Sequence, residues 1–437
     1  MRRSGRASAG LLLLAGALCW ARSAAAEVVL VKTDGGFEFF TEGRLGGFFE
    51  AVQGQTLPTQ FDQNGNLTHT IGDGGLNVGG PYTSLPMGAS GQGTVLASRV
   101  RSGFLSNVLA FGLRRKLTDT IVVKGYISLW ANIEDENRRA FVPAFPDARE
   151  GFLQVTGPAG SLLVGRSLTL FNRGATEIDF LYGHRFGVGN PAGFDTQGPS
   201  GGFVGYGLLA ATFNAGIVYS TPSFHGLMLS AGYYDPTAFP GLYWERTEFG
   251  RGEGELAFDR QLGELGKIHL FVNGAFQKVY AAQGERSTSV WGVGAGGRLE
   301  LSVFRLGIAA HTGQGLGFAY AFDGSTAVVE QAITQQLRKF DGLYVQSMVV
   351  LGRFDLSAGA GATRVHEVPG DVLNVDPTSG LQAVSVLKQR VGLAGAVVYH
   401  FSDFLHFDID YFRASAEWWL GEKQVVNTFN SGLTLTW

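Results

Sequence analysis

Residues 121–134, IVVKGYISLWANIE, decide the fold of this chain. Odd-numbered positions from Ile121 to Ile133 carry only apolar residues and one glycine, whereas even-numbered positions from Lys124 to Glu134 are charged, polar or amphipathic aromatic. Side chains of an extended strand alternate between two faces, so this pattern predicts a strand with one apolar and one polar face. About ten residues with that division are typical of a transmembrane β-barrel strand, although a half-buried strand of a soluble sandwich has the same period.

The composition favours the membrane alternative. Of 437 residues, 65 are glycine, 12% are aromatic and only 16% are charged, against roughly 25% charged in soluble domains. No Pro/Ser-rich linker or run of charge divides the chain.

Residues 1–26 have the pattern of a secretory signal peptide. Arg2, Arg3 and Arg6 form a basic region, a short apolar run follows over residues 11–20, and three alanines precede Glu27. The apolar run is too short for a membrane-spanning helix. We therefore expect export and a mature chain of residues 27–437.

Charge and cysteine content restrict the compartment and the partners. Removing the four arginines of residues 1–26 from the 34 basic residues leaves 30, against 37 acidic residues. This mild acidity argues against nucleic acid as a partner. Cys19, the single cysteine, lies in the segment expected to be removed. An exported chain without disulfides, rich in glycine and aromatic residues, fits the outer membrane of a Gram-negative bacterium.

The strand pattern continues along the chain. We expect about sixteen strands near 37–52, 95–113, 121–134, 149–156, 161–167, 213–220, 226–235, 247–259, 267–281, 287–300, 304–313, 338–351, 354–366, 383–400, 404–418 and 425–437. Short turns alternate with longer loops, which is the pattern of an outer-membrane barrel. The expected fold class is therefore all-β, a transmembrane antiparallel β-barrel that closure leaves without edge strands.

Aromatic residues gather near the ends of these strands, where amphipathic rings form girdles at the lipid–water boundary. The candidates are Tyr233, Tyr234, Tyr399, Phe401, Phe404, Tyr411, Phe412, Trp418 and Trp419. The alternative is the core aromatics of a sandwich.

Three segments resemble the Gram-negative general porins. Residues 214–234, NAGIVYSTPSFHGLMLSAGYY, are similar to a porin hairpin, and residues 150–167, EGFLQVTGPAGSLLVGRS, to the porin segment that precedes the third loop. Residues 429–437, FNSGLTLTW, end in a terminal aromatic like the signal that the family's barrel-assembly machinery binds. The resemblance in pattern covers nearly all of the mature chain.

The resemblance implies a sixteen-stranded, usually trimeric barrel among outer-membrane lipids, with a third loop folded into the lumen. Residues 168–202 would be this constriction loop, although the Pro-Glu-Phe-Gly-Gly stretch of some members is missing. Its charged residues are Glu177, Asp179, Asp195, Arg173, His184 and Arg185. Trp437 would contact the assembly machinery.

Basic residues on the first five strands are candidates for the pore lining. They are Arg44, Arg99, Arg101, Lys124, Arg149 and Arg166. A charge that faces lipid at the midplane costs about 2–4 kcal/mol, so mid-strand positions should face the lumen. The alternative is that some of them reach the boundary from strand ends or pair locally.

These observations leave three functions open. The first is passive diffusion of small hydrophilic solutes through a water-filled lumen, and the second is a selective channel of the same fold for phosphate, nucleotide or sugar. The third is a barrel enzyme or adhesin. The sequence has no HExxH or G-x-S-x-G motif, so we expect a channel without enzymatic activity.

Two glycine-containing segments partly resemble ligand-binding loops. Residues 292–297, GVGAGG, lack the following helix of a dinucleotide loop and predict a strand of small residues. Residues 62–66, DQNGN, resemble a calcium loop without the bidentate glutamate and predict a turn. We expect no cofactor, with loop-bound calcium as the alternative.

Overall fold

The computed structural model describes residues 27–55, 60–61, 67–71, 94–102, 107–131, 147–180, 203–209, 212–236, 244–316, 336–368, 384–385, 387–419 and 421–437. Almost all of these residues lie in strands or in the turns between them. No helix among them is long and apolar enough to cross a membrane.

The strands are β1 (Val28–Lys32), β2 (Phe37–Gln55), β3 (Gln60–Phe61), β4 (Leu67–Ile71), β5 (Thr94–Arg101), β6 (Asn107–Lys116), β7 (Val122–Ala131), β8 (Asp147–Gly157), β9 (Gly160–Leu168), β10 (Phe213–Ser220), β11 (Leu227–Tyr234), β12 (Trp244–Arg246), β13 (Arg251–Gln261), β14 (Gly266–Ala281), β15 (Ser287–Leu301), β16 (Phe304–Gln314), β17 (Lys339–Leu351), β18 (Phe354–Val365), β19 (Val384–Ser385), β20 (Leu387–His400), β21 (Leu405–Trp418) and β22 (Lys423–Thr436). Between the strands of the described residues, a short helix, α1, spans Arg173–Ile178, and a 3₁₀ turn spans Gly263–Leu265.

The strands close into one antiparallel barrel. Within the described residues, sixteen wall positions follow the order β2, β5 with β6, β7, β8, β9, β10, β11, β13, β14, β15, β16, β17, β18, β20, β21 and β22, and β22 pairs back onto β2. β12 pairs with β14 beyond the end of β13, and β1 pairs with β2 beyond the end of β22. The predicted fold class is confirmed.

The connections at the two ends of the barrel differ in length. Both ends of the described chain lie at the end that carries turns of two to six residues, such as 158–159, 302–303 and 352–353. The longest connections, including 169–212 and 315–338, lie at the opposite end. This asymmetry is the one expected between periplasmic turns and external loops.

The strand of the opening stretch has the predicted division of faces. Ile127 is 45% exposed on the outward face, whereas its neighbours Ser128 and Trp130 are buried on the inward face. The same alternation holds on β14, where Val272 is exposed beside buried Asn273. Apolar side chains therefore cover the outside, and polar side chains line the inside.

The wall differs from the predicted strands where β5 meets β6. The sequence predicts a single strand over 95–113, but both pieces pair separately with β2. Arg101 lies opposite Phe48, and Val108 lies opposite Arg44. Seven steps along the chain from Arg101 to Val108 are matched by four along β2, so the two pieces do not form one continuous ladder.

Aromatic residues that are neighbours in sequence lie on opposite faces, which corrects part of the predicted girdle. Tyr233 and Tyr411 are exposed on the outside, as are Phe401 and Phe404. Tyr234, Phe412 and Trp418, by contrast, are buried on the inward face. A strand alternates at every residue, so at most one of two consecutive rings can reach the lipid boundary.

Candidate functional site: the lumen wall

The basic residues predicted to line the pore lie on one sector of the wall. Arg44 and Lys124 are on the inward faces of β2 and β7. Register places Arg99 opposite Glu50 and Arg101 opposite Phe48, both inward positions of β2. Directly paired residues share a face, so these positions line the lumen; the structure does not describe the side chains of Arg99 and Arg101.

Lys124 is held against two aromatic faces. Its Nζ lies 4.9 Å from the ring centroid of Phe40 and 4.9 Å from that of Tyr126. The same Nζ is 3.7 Å from Glu27 Oε1. Cation–π contact and a nearby carboxylate hold the ammonium group in place.

Arg149, near the start of β8, is held in place in a similar way. Its guanidinium lies 4.4 Å from the ring centroid of Trp130, and its Nε donates a hydrogen bond to Asp147 Oδ2 at 2.9 Å. Trp130 faces inward, so Arg149 lies on the lumen side. A bulge in the pairing of β7 with β8 next to Ser128 allows this odd-numbered residue to turn inward.

Arg166 differs from the expectation. It follows Leu162 and Val164 at a spacing of two on β9, and all three are exposed on the outward face. Its Nε and Nη1 donate to the carbonyl oxygens of Phe213 and Ala148 at 3.3 and 3.4 Å. The residue lies near the end of its strand, so a long side chain can bond with backbone at the membrane boundary.

One inward cation, which lies beside Glu27 and Glu38, was not among the predicted pore-lining residues. Arg114, assigned from sequence to a turn, lies on β6; its Nε donates to Glu38 Oε2 at 2.8 Å, and its Nη1 pairs with Glu27. Its guanidinium lies 5.2 Å from the Phe40 ring centroid. Arg114 follows Ala110 and Gly112 at a spacing of two, so strand alternation alone predicts that it shares their inward face.

Carboxylates and hydroxyls alternate with these cations. The Tyr126 hydroxyl donates to Glu42 Oε1 at 2.6 Å, and the Ser128 hydroxyl donates to Glu150 Oε2 at 2.9 Å. Trp130 Nε1 donates to Ser128 Oγ at 2.9 Å. This sector of the wall therefore carries both signs of charge in fixed positions.

The chain after β9 turns inward and crosses the opposite sector. Phe171 N donates to Glu253 Oε2 at 2.7 Å, and Arg173 of α1 pairs with Glu255, its Nε 3.1 Å from Oε1. Both carboxylates are buried on the inward face of β13. Residues 169–180 therefore lie inside the barrel.

Three wall side chains hold the rest of this inward segment. The Tyr344 hydroxyl donates to the Ala175 carbonyl, and Gln346 Nε2 donates to the Ile178 carbonyl at 3.2 Å and to Asp179 Oδ1 at 3.0 Å. Arg298 Nη1 donates to the Glu177 carbonyl at 3.3 Å. The contacts run from β13 to β17.

Glycines on β15 form the seat for this segment. The predicted small-residue strand over 292–297 is confirmed, and alternate glycines face inward. A Cβ at Gly292 would lie 2.5 Å from Phe171 Cζ, and one at Gly294 would lie 2.6 Å from Asn172 Oδ1. A side chain at either position would collide with the inward segment. Only glycine therefore fits at these two positions of β15.

Residues 203–209 continue the inward packing on the next strands. Phe203 stacks on Tyr344 with ring centroids 5.7 Å apart, and Tyr206 packs edge-on against Phe412 at 5.1 Å. Gly207 N donates to Thr363 Oγ1 at 2.8 Å. The two inward segments together cover the wall from β13 to β21.

Only three of the six charged residues predicted on the constriction loop are among the described residues. Arg173 and Glu177 lie on α1, and Arg173 Nε is 4.0 Å from Glu177 Oε1. Asp179 is buried and accepts a hydrogen bond from Gln346. Asp195, His184 and Arg185 lie outside the described residues, as does the turn over 62–66 that carried the calcium alternative. Among the described residues, no group of three or more His, Cys, Asp or Glu side chains has the geometry to hold a metal ion.

The fold is similar to solved outer-membrane channels. No protein-family model matches the sequence, and no curated protein matches it. The outer membrane channel DcaP of Acinetobacter baumannii has a TM-score of 0.61 at 10% identity, over 93% of this chain and 99% of that one. An anion-selective porin from Comamonas acidovorans gives 0.54 at 13% identity, over 90% of this chain and 100% of that one.

A third similar structure is OmpF of Salmonella typhi in complex with daunomycin. Its TM-score is 0.50 at 10% identity, over 94% of this chain and 100% of that one. Likeness at such low identity concerns the fold, and the fold of this chain is that of the sixteen-stranded porins.

Proposed function

We propose that the chain is a passive outer-membrane channel for small hydrophilic solutes and ions, without enzymatic activity. The observation that carries the proposal is a closed wall with apolar side chains outside and charged side chains inside. Such a wall is stable only with lipid around it and water within it. Diffusion through the lumen needs no chemical step.

The proposed selectivity mechanism is a transverse field. Lys124, Arg149 and Arg114 are fixed on β6 to β8, whereas Glu177 and Asp179 belong to the inward segment on the opposite sector. Fixed charges of opposite sign across a narrow lumen decide which ions pass and align dipolar solutes.

We further propose a homotrimer in the outer membrane of a Gram-negative bacterium. The porin fold and the resemblance of residues 150–167 and 214–234 to general porins support this assembly. Trp437 supports recognition by the barrel-assembly machinery. It also closes the barrel, since its N–H donates to the Gly43 carbonyl at 3.1 Å and its carbonyl accepts from Gly43 N at 2.9 Å.

Liposome swelling with sugars of graded size tests this function. We expect uptake rates that fall smoothly with solute size and rise linearly with concentration. Proteoliposomes that swell no faster than empty vesicles would contradict a channel and would return the barrel enzyme or adhesin to consideration.

A selective channel of the same fold is the second candidate. Inward aromatic rings favour it: Tyr126 stacks on Phe152 with centroids 5.2 Å apart, and Trp130 is buried on the same face of β7 as Tyr126. Rings along a pore wall can hold the apolar faces of sugars or nucleobases. Saturable uptake of one solute class among phosphates, nucleotides and sugars would identify it.

A further inference from the structure

Two histidines stand side by side on the inward wall, at the end of the barrel that carries the short turns. His400 and His406 are directly paired across the hairpin of β20 and β21. Their ring centroids are 4.6 Å apart at 85°, and the two Nδ1 atoms are separated by 2.8 Å. The four-residue turn 401–404 fixes this register, so the pair is built into the wall.

A carboxylate orients the first of these rings. Asp355 on the neighbouring strand β18 has its Oδ2 3.0 Å from His400 Nε2. A ring that donates its Nε2–H to a carboxylate carries its lone pair on Nδ1, which here points at His406. Imidazole ligands of metal ions are oriented in this way, by a carboxylate that accepts the other ring N–H.

The surroundings are acidic. Asp408 is buried on the inward face two residues after His406, and its Oδ2 accepts a hydrogen bond from Thr434 Oγ1 at 3.0 Å. Asp355, which contacts His400, and Asp408 are thus two carboxylates on the inward face of the strands that carry and flank the two rings. The site therefore favours a cation over a neutral or anionic ligand.

We propose that His400 and His406 bind one divalent transition-metal ion, such as Zn²⁺ or Cu²⁺, through their Nδ1 atoms. Tetrahedral coordination with metal–nitrogen bonds of about 2.0–2.1 Å separates two ligand nitrogens by roughly 3.3 Å. The present 2.8 Å requires only a small opening of the pair. In the absence of metal, His406 donates its Nδ1–H to His400 Nδ1. When the metal binds, this proton is transferred through water to His406 Nε2, so both rings stay neutral and both Nδ1 lone pairs reach the metal.

The remaining coordination positions belong to water. No group of three or more metal-ligating side chains forms within the described part of the chain, so the site has two protein ligands. The His400 side chain is 32% exposed, which leaves a path from the lumen. Imidazole nitrogen suits zinc, copper and nickel better than magnesium or calcium, and this sets the class of ion.

Binding to the folded, detergent-solubilised chain tests the proposal independently of transport. We expect Cu²⁺ to give an electron paramagnetic resonance spectrum with hyperfine coupling to two imidazole nitrogens, and Zn²⁺ calorimetry to report the same site. His400→Gln and His406→Gln should each abolish it, and Asp355→Asn should weaken binding about 10–100-fold. His225→Gln, in the turn between β10 and β11, is the matched control and should change nothing.

Unchanged Zn²⁺ affinity in His406→Gln would overturn the proposal, as would a copper spectrum without two-nitrogen coupling. Each variant is checked for folding by its heat-modifiable migration in gels. If a glutamine variant does not fold, Asp355→Asn decides the question, because it keeps both rings; full affinity in that variant then contradicts the site.

Discussion

At the scale of single residues, the face of the strand on which a charged side chain lies decides whether it lines the lumen or faces outward. Lys124 shares the inward face of β7 with the other even-numbered residues, and the backbone register puts Arg99 and Arg101 at inward positions. Strand alternation could not place Arg149, because the bulge in β8 that turns this side chain inward leaves no signal in the sequence. Arg166 lies four and two residues after Leu162 and Val164, so strand alternation predicts the outward face that all three share.

Exchange of Arg99 and Arg101 for serine should shift the reversal potential of the channel toward cations, because two positive charges are removed at positions paired with inward Glu50 and Phe48. The measurement is the reversal potential of the channel in a planar bilayer under a salt gradient. Arg166→Ser is the matched control and should leave selectivity unchanged, since that charge faces outward. Equal shifts in both variants would show that distant surface charge, rather than the lumen wall, sets selectivity.

Glu177 should make selectivity depend on pH. It lies on α1, which is not a membrane-spanning strand, and burial raises the pKa of its carboxyl to about 7, although neighbouring Arg173 acts in the opposite direction. The carboxyl is therefore neutral at pH 6 and charged at pH 8, and cation preference should rise over that interval. Glu177→Gln should reduce the rise; an identical pH profile in this variant would remove Glu177 from the lumen.

At the scale of elements, strands were predictable and the inward segment was not. The alternation of apolar and polar residues predicted β13 to β18 within a few residues of their ends. It could do so because each of these strands carries its apolar side chains on one face and its polar side chains on the other. Helix α1 has only six residues, and its position depends on partners such as Glu255 and Tyr344 that are distant in sequence. The glycines of β15 were recognised as strand residues, but nothing local says which segment lies on them.

A side chain on the glycine seat should open the pore. Gly294→Val would place Cβ 2.6 Å from Asn172 Oδ1 and 2.7 Å from Asn273 Oδ1, which forces the inward segment away from the wall. We expect a larger single-channel conductance and a larger size limit in liposome swelling. Gly252→Val on β13, where an added Cβ meets nothing within 4 Å, is the control and should behave as the wild type.

At the scale of the whole molecule, stability depends on lipid outside the closed wall. The sequence predicted this architecture because the apolar and polar sets are separated on nearly every strand. It could not give the break between β5 and β6, which arises from the pairing of both pieces with the long strand β2. Closure and register are properties of the assembled sheet rather than of any one strand.

An outward charge at mid-strand should destabilise the barrel. Val272→Arg, on the exposed face of β14, is expected to lower the free energy of unfolding in lipid vesicles by about 2–4 kcal/mol. Val303→Arg is the control, because Val303 is equally apolar but lies in a short turn outside the apolar band; it should cost at most about 1 kcal/mol. Equal losses in denaturant titrations would contradict the proposed placement of the membrane.

Current through a planar bilayer is the most direct measurement of the central claim, that the wall encloses a continuous water-filled path. The purified chain of residues 27–437, inserted from detergent, should produce discrete conductance steps that scale with salt concentration. A protein that stays soluble without detergent, or that inserts and passes no current, would contradict the account.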